Sequence, residues 1–162
     1  MVRSPKLKDF AAIHAVEAAA FGREDEALLV ENVRAEGAAL VELVVGEEDG
    51  QIVGHILFSR MTCEPMKRIA GLAPVAVLPD AQSRGWGQVL CRAGIEELRR
   101  MGAEAVVVLG HVDYYPRFGF SREAAKLIAS PYAHLPAFMA MELVPGALAA
   151  PIKADYPRAF GA

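Results

Sequence analysis

The sequence predicts an α/β (α+β) fold: a mixed sheet, mostly antiparallel, with one parallel strand pair inside it. Three observations predict it. Residues 39–45 and 51–60 are rich in β-branched and apolar side chains and flank Asp49-Gly50, a strong hairpin signal, so they pair antiparallel. The apolar segment 72–77, the helical pattern 88–101 and the nearly continuous apolar run 105–109 follow as strand, helix and strand, which a right-handed parallel crossover joins. Pro74 interrupts the first of those strands, and a proline takes a hydrogen bond out of the ladder unless it stands at an edge or a bulge. A bulge at Pro74 is therefore expected, and with it a strand that splays from its neighbour.

Taken in order, the chain opens with a helix whose stripe is Phe10, Ile13, Val16 and Ala20, capped by Asp9 and stopped by Gly22. Glu24, Asp25 and Glu26 start a second helix, where negative charge suits the positive end of the dipole. Leu29, Val30 and Val33 face inward and Gly37 ends it. In the second strand of the hairpin Val53, His55, Leu57 and Ser59 share one face, while Ile52, Gly54, Ile56 and Phe58 take the other. On the crossover helix Leu90, Gly94, Leu98 and Met101 line one side, Arg92, Glu96, Arg99 and Arg100 the other. Glu96 and Arg100 stand at pairing distance, and Gly102 is the stop. A short helix ending at Gly119, an edge element and a strand over 138–143 complete the pattern; 145–162, rich in Pro, Ala and Gly, reads as an ordered loop at best.

Composition narrows the function. With 162 residues the chain is expected to be one domain, 1–162, with 145–162 as a C-terminal tail. Its formal charge of −3 gives no basic surface that would seek nucleic acid. No apolar run approaches the roughly 20 residues that span a bilayer. Residues 1–10 mix Arg3, Lys6 and Lys8 with Asp9 and carry no apolar signal-peptide core, so a cytoplasmic protein without membrane partners is the expectation. Cys63 and Cys91 form no Cys-x-x-Cys pair and are expected as buried free thiols. His14 and His134 lack partners at ligand spacing, so no metal is expected either. The methionines are expected to fill gaps in the core and its rim.

The stretch Val77-Leu78-Pro79-Asp80-Ala81-Gln82-Ser83-Arg84-Gly85-Trp86-Gly87 is where a strand becomes a helix. The first turn of a helix offers unpartnered N–H groups and a positive dipole end, and glycines let an anion come close. Gln82, Ser83 and Arg84 add side-chain donors. The loop lacks the Gly-Lys-Ser/Thr of a nucleotide P-loop and the Gly-x-Gly-x-x-Gly of dinucleotide folds. Instead Val77-x-Pro79 followed by Gln82-x-x-Gly85-x-Gly87 resembles the acyl-CoA pyrophosphate loop of the GNAT superfamily of N-acyltransferases. Tyr115-x-x-x-Gly119-Phe120 is similar to that family too, and the likeness extends over residues 9–143.

The resemblance implies the GNAT-like form of the predicted fold: a twisted, mostly antiparallel sheet, its central parallel pair splayed by a bulge, with helices on both faces. It implies acetyl-CoA (coenzyme A) as cosubstrate. Ala76 and Val77 would meet the pantetheine arm and the thioester oxygen, while Gln82, Ser83, Arg84, Gly85, Trp86, Gly87 and Gln88 would hold the pyrophosphate. Trp86 replaces the smaller residue usual between the glycines and is expected to pack inward. Tyr115 takes the family's proton-donor position, with Tyr114 the less favoured of the pair. The implied reaction is attack of a small-molecule or peptide amine on the thioester; the alternative is an acyl-CoA sensor without turnover. The acceptor ammonium, with a pKa near 10.4, needs a base. The family fixes no position for one, and the candidates are Glu64, His55 and His111. Relatives often carry an Asn near the end of the last parallel strand, whereas the only Asn here is Asn32. A monomer or a homodimer is expected.

Overall fold

The computed structural model describes residues 1–161. In chain order its strands are β1 (Val2–Arg3), β2 (Ala39–Gly46), β3 (Ile52–Arg60), β4 (Thr62–Glu64), β5 (Ile69–Val77), β6 (Ala105–Leu109), β7 (Ile128–Ala129), β8 (Phe138–Glu142) and β9 (Ile152–Asp155). Its helices are α1 (Phe10–Phe21), α2 (Asp25–Ala35) and α3 (Trp86–Arg100). Six strands form one mixed sheet in the order β1-β2-β3-β5-β6-β8, in which only β5 and β6 run parallel; the other three make a small sheet, β4-β9-β7. The hairpin β2–β3 and the crossover β5–α3–β6 stand where the sequence predicts them, because each is signalled by local residues.

One face of the large sheet packs on α3, where Phe58, Leu72, Val106 and Val108 meet Leu90, Cys91 and Leu98. Gly94 is required there: a Cβ on it would stand 2.2 Å from Phe58 Cε2. The opposite face has a divided cover. Helices α1 and α2 lay Ile13, Val16, Val30 and Val33 over Val44, Leu57 and Ala76, and the small sheet lays Ile128, Ile152 and Ala154 over Ala105, Val107 and Ala140. Burying each of the Val, Leu and Ile side chains among these is worth about 1.5–3 kcal/mol.

Several expectations are corrected. Helix α3 begins at Trp86, two residues before the periodic pattern. Met101 is 44 % exposed rather than inward, and Arg100 pairs with Glu97 at 2.6 Å, not with Glu96. Asp9 stands at the start of α1 without capping it. Its carboxylate accepts instead from Arg3 Nη1 at 2.6 Å and from the Lys6 N–H at 2.7 Å, and Arg3 above all holds it well below the usual carboxylate range. The stretch 145–161 is not loop throughout: β9 is the middle strand of the small sheet, with Ala154 opposite Cys63 and Ile152 opposite Ile128. Beyond it, Glu36 accepts from the N–H of Ala159 at 2.7 Å, tying the segment to the end of α2.

Candidate active site

The site begins with one surplus residue. Between Ile56 and Phe58 of β3, two steps along one strand answer three along β5, from Val75 to Leu72, so β5 bulges at Ala73-Pro74. Pairing with β6 covers only Ile69–Leu72 against Ala105–Val108. Pro74 has no N–H to offer, and beyond it β5 runs on to Val77 without a β6 partner. The strands diverge where the sequence says they should.

Ladder parity decides which backbone groups face the gap. Leu78 N–H donates to Val53 C=O at 2.8 Å, so by alternation Ala76 is bonded to His55, while Val75 and Val77 turn their N–H and C=O the other way. Val77 C=O accordingly accepts from Gln82 Nε2 at 2.9 Å on that side. Of the two residues predicted to meet the pantetheine arm, Val77 is therefore the one aimed at the gap. Ala76 turns its polar groups to β3, and its counterpart is Val75, which sequence alone does not single out.

Past a single turn at Pro79–Ala81, Ser83 and Gly85 take the left-handed region with φ of 66° and 86°, and α3 starts. Nothing lies within 4 Å of where a Gly85 Cβ would be. The N–H groups of residues 83–88 have no acceptor among the described residues, and all of them gather at the positive end of α3. Ser83 and Arg84 are exposed, the latter 3.5 Å from Glu47; exposed Gln82 gives one of its two amide hydrogens to Val77 C=O and keeps the other as a donor. Trp86 packs against the α3-side core, with its indole N–H enclosed and unpartnered, and Gln88 is half-buried.

Beyond β6 the chain turns through a short 3-10 helix, Tyr115–Phe118, whose entry is fixed by Tyr114 and Tyr115 N–H both donating to His111 C=O, at 3.1 and 3.3 Å. Tyr115 is 7 % exposed, stacked edge-on against Tyr114 and Phe120. Its ring lies so close to Gly110 that a Cβ there would stand 2.4 Å away. Burial, reinforced by Cys91 and Tyr114, pushes its phenol well above the ordinary range; burial also pushes the Cys91 thiol up to about 12. Tyr114 reaches over the first turn of α3, its hydroxyl 3.1 Å from where a Gly87 Cβ would be.

The three candidate bases are not brought together. His55 is fully buried, its Nδ1 donating to Glu17 Oε2 at 2.6 Å and its Nε2 to Glu42 Oε2 at 2.7 Å, which leaves no lone pair for a substrate. Glu64 is exposed on β4, toward the start of β5 where parallel pairing is intact. His111 is exposed just beyond β6, beside the diverging ends. Sequence reasoning missed Glu17 and Glu42. The signal for Glu17 was its position four residues after Ile13, on the inward face of α1.

Residues 10–120 match the family described as Acetyltransferase (GNAT) family. The chain belongs to the GNAT acetyltransferase family. Among relatives, it is 45% identical over 118 residues to the Uncharacterized N-acetyltransferase YjhQ of Escherichia coli K12, a match covering 69% of this chain and 64% of that protein; the chain thus spans just under two thirds of that relative's length. The crystal structure of the GNAT family N-acetyltransferase YhbS from Escherichia coli in complex with CoA is similar over 100% of this chain and 92% of its own, with a TM-score of 0.93 at 28% identity. A GNAT family acetyltransferase from Brucella melitensis in complex with acetyl-CoA aligns over 99% of this chain and 97% of its own, with a TM-score of 0.82 at 34% identity.

The GNAT match takes in α1 and α2, the bulged β5, the row of N–H groups and Tyr115, and stops at Phe120. Past that point lie β8 of the large sheet and β7 and β9 of the small one. Among the described residues no group of three or more His, Cys, Asp or Glu is placed to hold a metal ion, and no helix is long and apolar enough to cross a membrane.

Proposed function

We propose that this chain is an acyltransferase that moves the acetyl group of acetyl-CoA to a primary amine of a small molecule or peptide, by direct attack within a ternary complex. One observation carries the reading: the N–H groups of residues 83–88, without an acceptor among the described residues, lie immediately beyond the strand end where Val75 and Val77 turn their backbone groups away from β3 and past the end of the pairing with β6. The first set matches a diphosphate, the second an extended amide-bearing arm that pairs like an added strand. A backbone N–H at that strand edge is fixed before the reaction and stabilises negative charge as it builds on the thioester oxygen. Tyr115 stays a neutral phenol at physiological pH because burial raises it. Full transfer of its proton to a thiolate is uphill, so it serves the departing sulfur as a hydrogen-bond donor. His111 is the proposed base of the three candidates, since His55 is sealed and Glu64 stands at the far end of β5. A second reading is a non-catalytic acyl-CoA sensor: of the three candidate bases, His55 is sealed between two carboxylates and Glu64 and His111 are exposed.

Acetyl-CoA mixed with a panel of amines and a thiol reagent separates the two. Amine-dependent release of CoA supports the enzyme; CoA binding by calorimetry without any amine-dependent release supports the sensor. No heat on adding CoA sinks both.

A further inference from the structure

A second cavity, of about 350 Å³, opens at the opposite end of α3 from the row of N–H groups. The helix has 15 residues, so roughly 20 Å of it separates the two places. The floor is apolar: Met61, Ile69 and Ala103 are all buried. Two further methionines flank the mouth, Met66 at 93 % and Met101 at 44 % exposure. Lone exposed apolar residues need no explanation, but two flexible thioethers on the lips of one apolar cavity are an adaptable surface awaiting a partner.

The charged side chains that line the mouth are all cations, while the carboxylate of Glu104 lies just outside it, accepting from the Arg68 N–H at 2.8 Å. Arg60, Lys67 and Arg68 line the cavity, no carboxylate does, and none of the three forms an ion pair with a carboxylate among the described residues. This is a local reversal in a chain whose formal charge is −3. Two of the cations are held in place by other means: Arg60 Nη1 donates to Gly37 C=O at 3.1 Å, and Arg68 lies against Gly102 at the negative end of α3. They are thus oriented without a direct ion pair.

We infer that this cavity binds a monocarboxylate with an unbranched apolar body, its tail on the Met61 and Ile69 floor and its carboxylate among Arg60, Lys67 and Arg68. The volume lies at the small end of ordinary ligand pockets, about 300–1,000 Å³, which suits a medium-length chain. Guanidinium and carboxylate make the stronger, charge-assisted kind of hydrogen bond. A bare inorganic anion would leave the floor unused, a neutral alcohol would leave the cations unused, and an alkylammonium would be repelled. The site is separate from the proposed acetyl-CoA site, and the inference stands or falls independently of it.

The test is calorimetric titration of the full chain with decanoate, kept below its micelle-forming concentration, beside decylamine, decanol and inorganic phosphate. Decanoate is expected to bind about tenfold or more tighter than any of the three. Cys63, half-buried on the cavity wall, supplies a local readout: decanoate should slow its alkylation several-fold. Lys67→Glu with Arg68→Glu should weaken decanoate about tenfold while CoA binding is unchanged, and Met66→Asp, at an exposed position that folding tolerates, should weaken it as well. Equal binding of decanoate and decylamine, unaltered alkylation of Cys63, an unaffected double variant, or binding only to phosphatidylglycerol vesicles and not to monomeric decanoate would each overturn the inference.

Discussion

Replacing His55 with Phe removes the one cation enclosed between Glu17 and Glu42 and separates a structural role from a catalytic one. Glu17 and His55 are both 0 % exposed, and the second oxygen of Glu17 already lacks a partner. Glu42 keeps Arg34, whose Nε donates at 3.0 Å and which lies 3.8 Å over the Phe10 ring, so only Glu17 is left wholly unpaired. Breaking such a buried pair costs about 3–5 kcal/mol, a large part of the roughly 5–15 kcal/mol that keeps a domain folded. At about 2–4 °C per kcal/mol for this size, the melting temperature should fall by roughly 6–20 °C. Burial raises the pKa of Glu17 against the pull of His55; the variant removes that pull, which shifts Glu17 further toward its neutral form and the loss toward the lower figure. The pH dependence has a definite sign. Burial alone lowers the pKa of His55, but hydrogen bonds to Glu17 and Glu42 outweigh it and the net shift is upward. That stabilisation is complete below the unfolded imidazole value near 6.5 and is lost as pH rises through the folded value. Burial raises Glu42, yet its bonds to His55 and Arg34 win and lower it, so its contribution fades toward acid. Thermal melts of both proteins should therefore differ most between about pH 5 and 6.5 and converge at alkaline pH. An unchanged melting temperature with a kcat that collapses on the acid side would mean that His55 works on substrate, and the structural argument would be wrong.

Tyr115→Phe should lower kcat by about 100-fold and leave the Kd for CoA within about twofold, read by steady-state kinetics and calorimetry; an unchanged kcat removes the hydroxyl from the reaction. Gly85→Ala meets no neighbour but needs φ of 86°, so it should cost about 1–2 kcal/mol of stability in denaturant melts and weaken CoA about tenfold as the loop relaxes. Gly94→Ala drives a methyl to 2.2 Å from Phe58 Cε2 and should cost about 1–3 kcal/mol, some of which Phe58→Leu in the same chain returns; a double variant no more stable than the single one contradicts that contact.

What could be read from sequence was whatever a few adjacent residues decide. Asp49-Gly50 fixes a hairpin, Gly102 ends a helix, and Pro74 breaks a ladder wherever the rest of the chain lies. The small sheet was not legible: its strands β4, β7 and β9 have three, two and four residues, too few for periodicity to register, and their partners are far off in sequence. Asp9 carries every mark of a cap, yet Arg3, brought alongside by β1, takes its carboxylate first. His55 looked like an available base because its two carboxylates come from α1 and β2, which only the folded sheet assembles. The assignment of Val75 in place of Ala76 needs ladder parity, and parity is counted from a bond at Leu78 that no residue type announces.

The bulge at Ala73-Pro74 does more than separate β5 from β6. Without it, alternation along β5 would set Leu72, Pro74 and Ala76 toward α3 and turn Val75 and Val77 under α1. With one residue added, Leu72 and Val75 both pack on the α3 side, and Ala76 joins the core beneath α1. The strand therefore reaches Val77 with its free edge turned to the gap, and Val77 is the residue that Gln82 grips from the loop ahead of α3. The gap and the first turn of α3 are thereby set in fixed relation by a single insertion: the same extra residue that ends the pairing with β6 determines how the chain enters the helix.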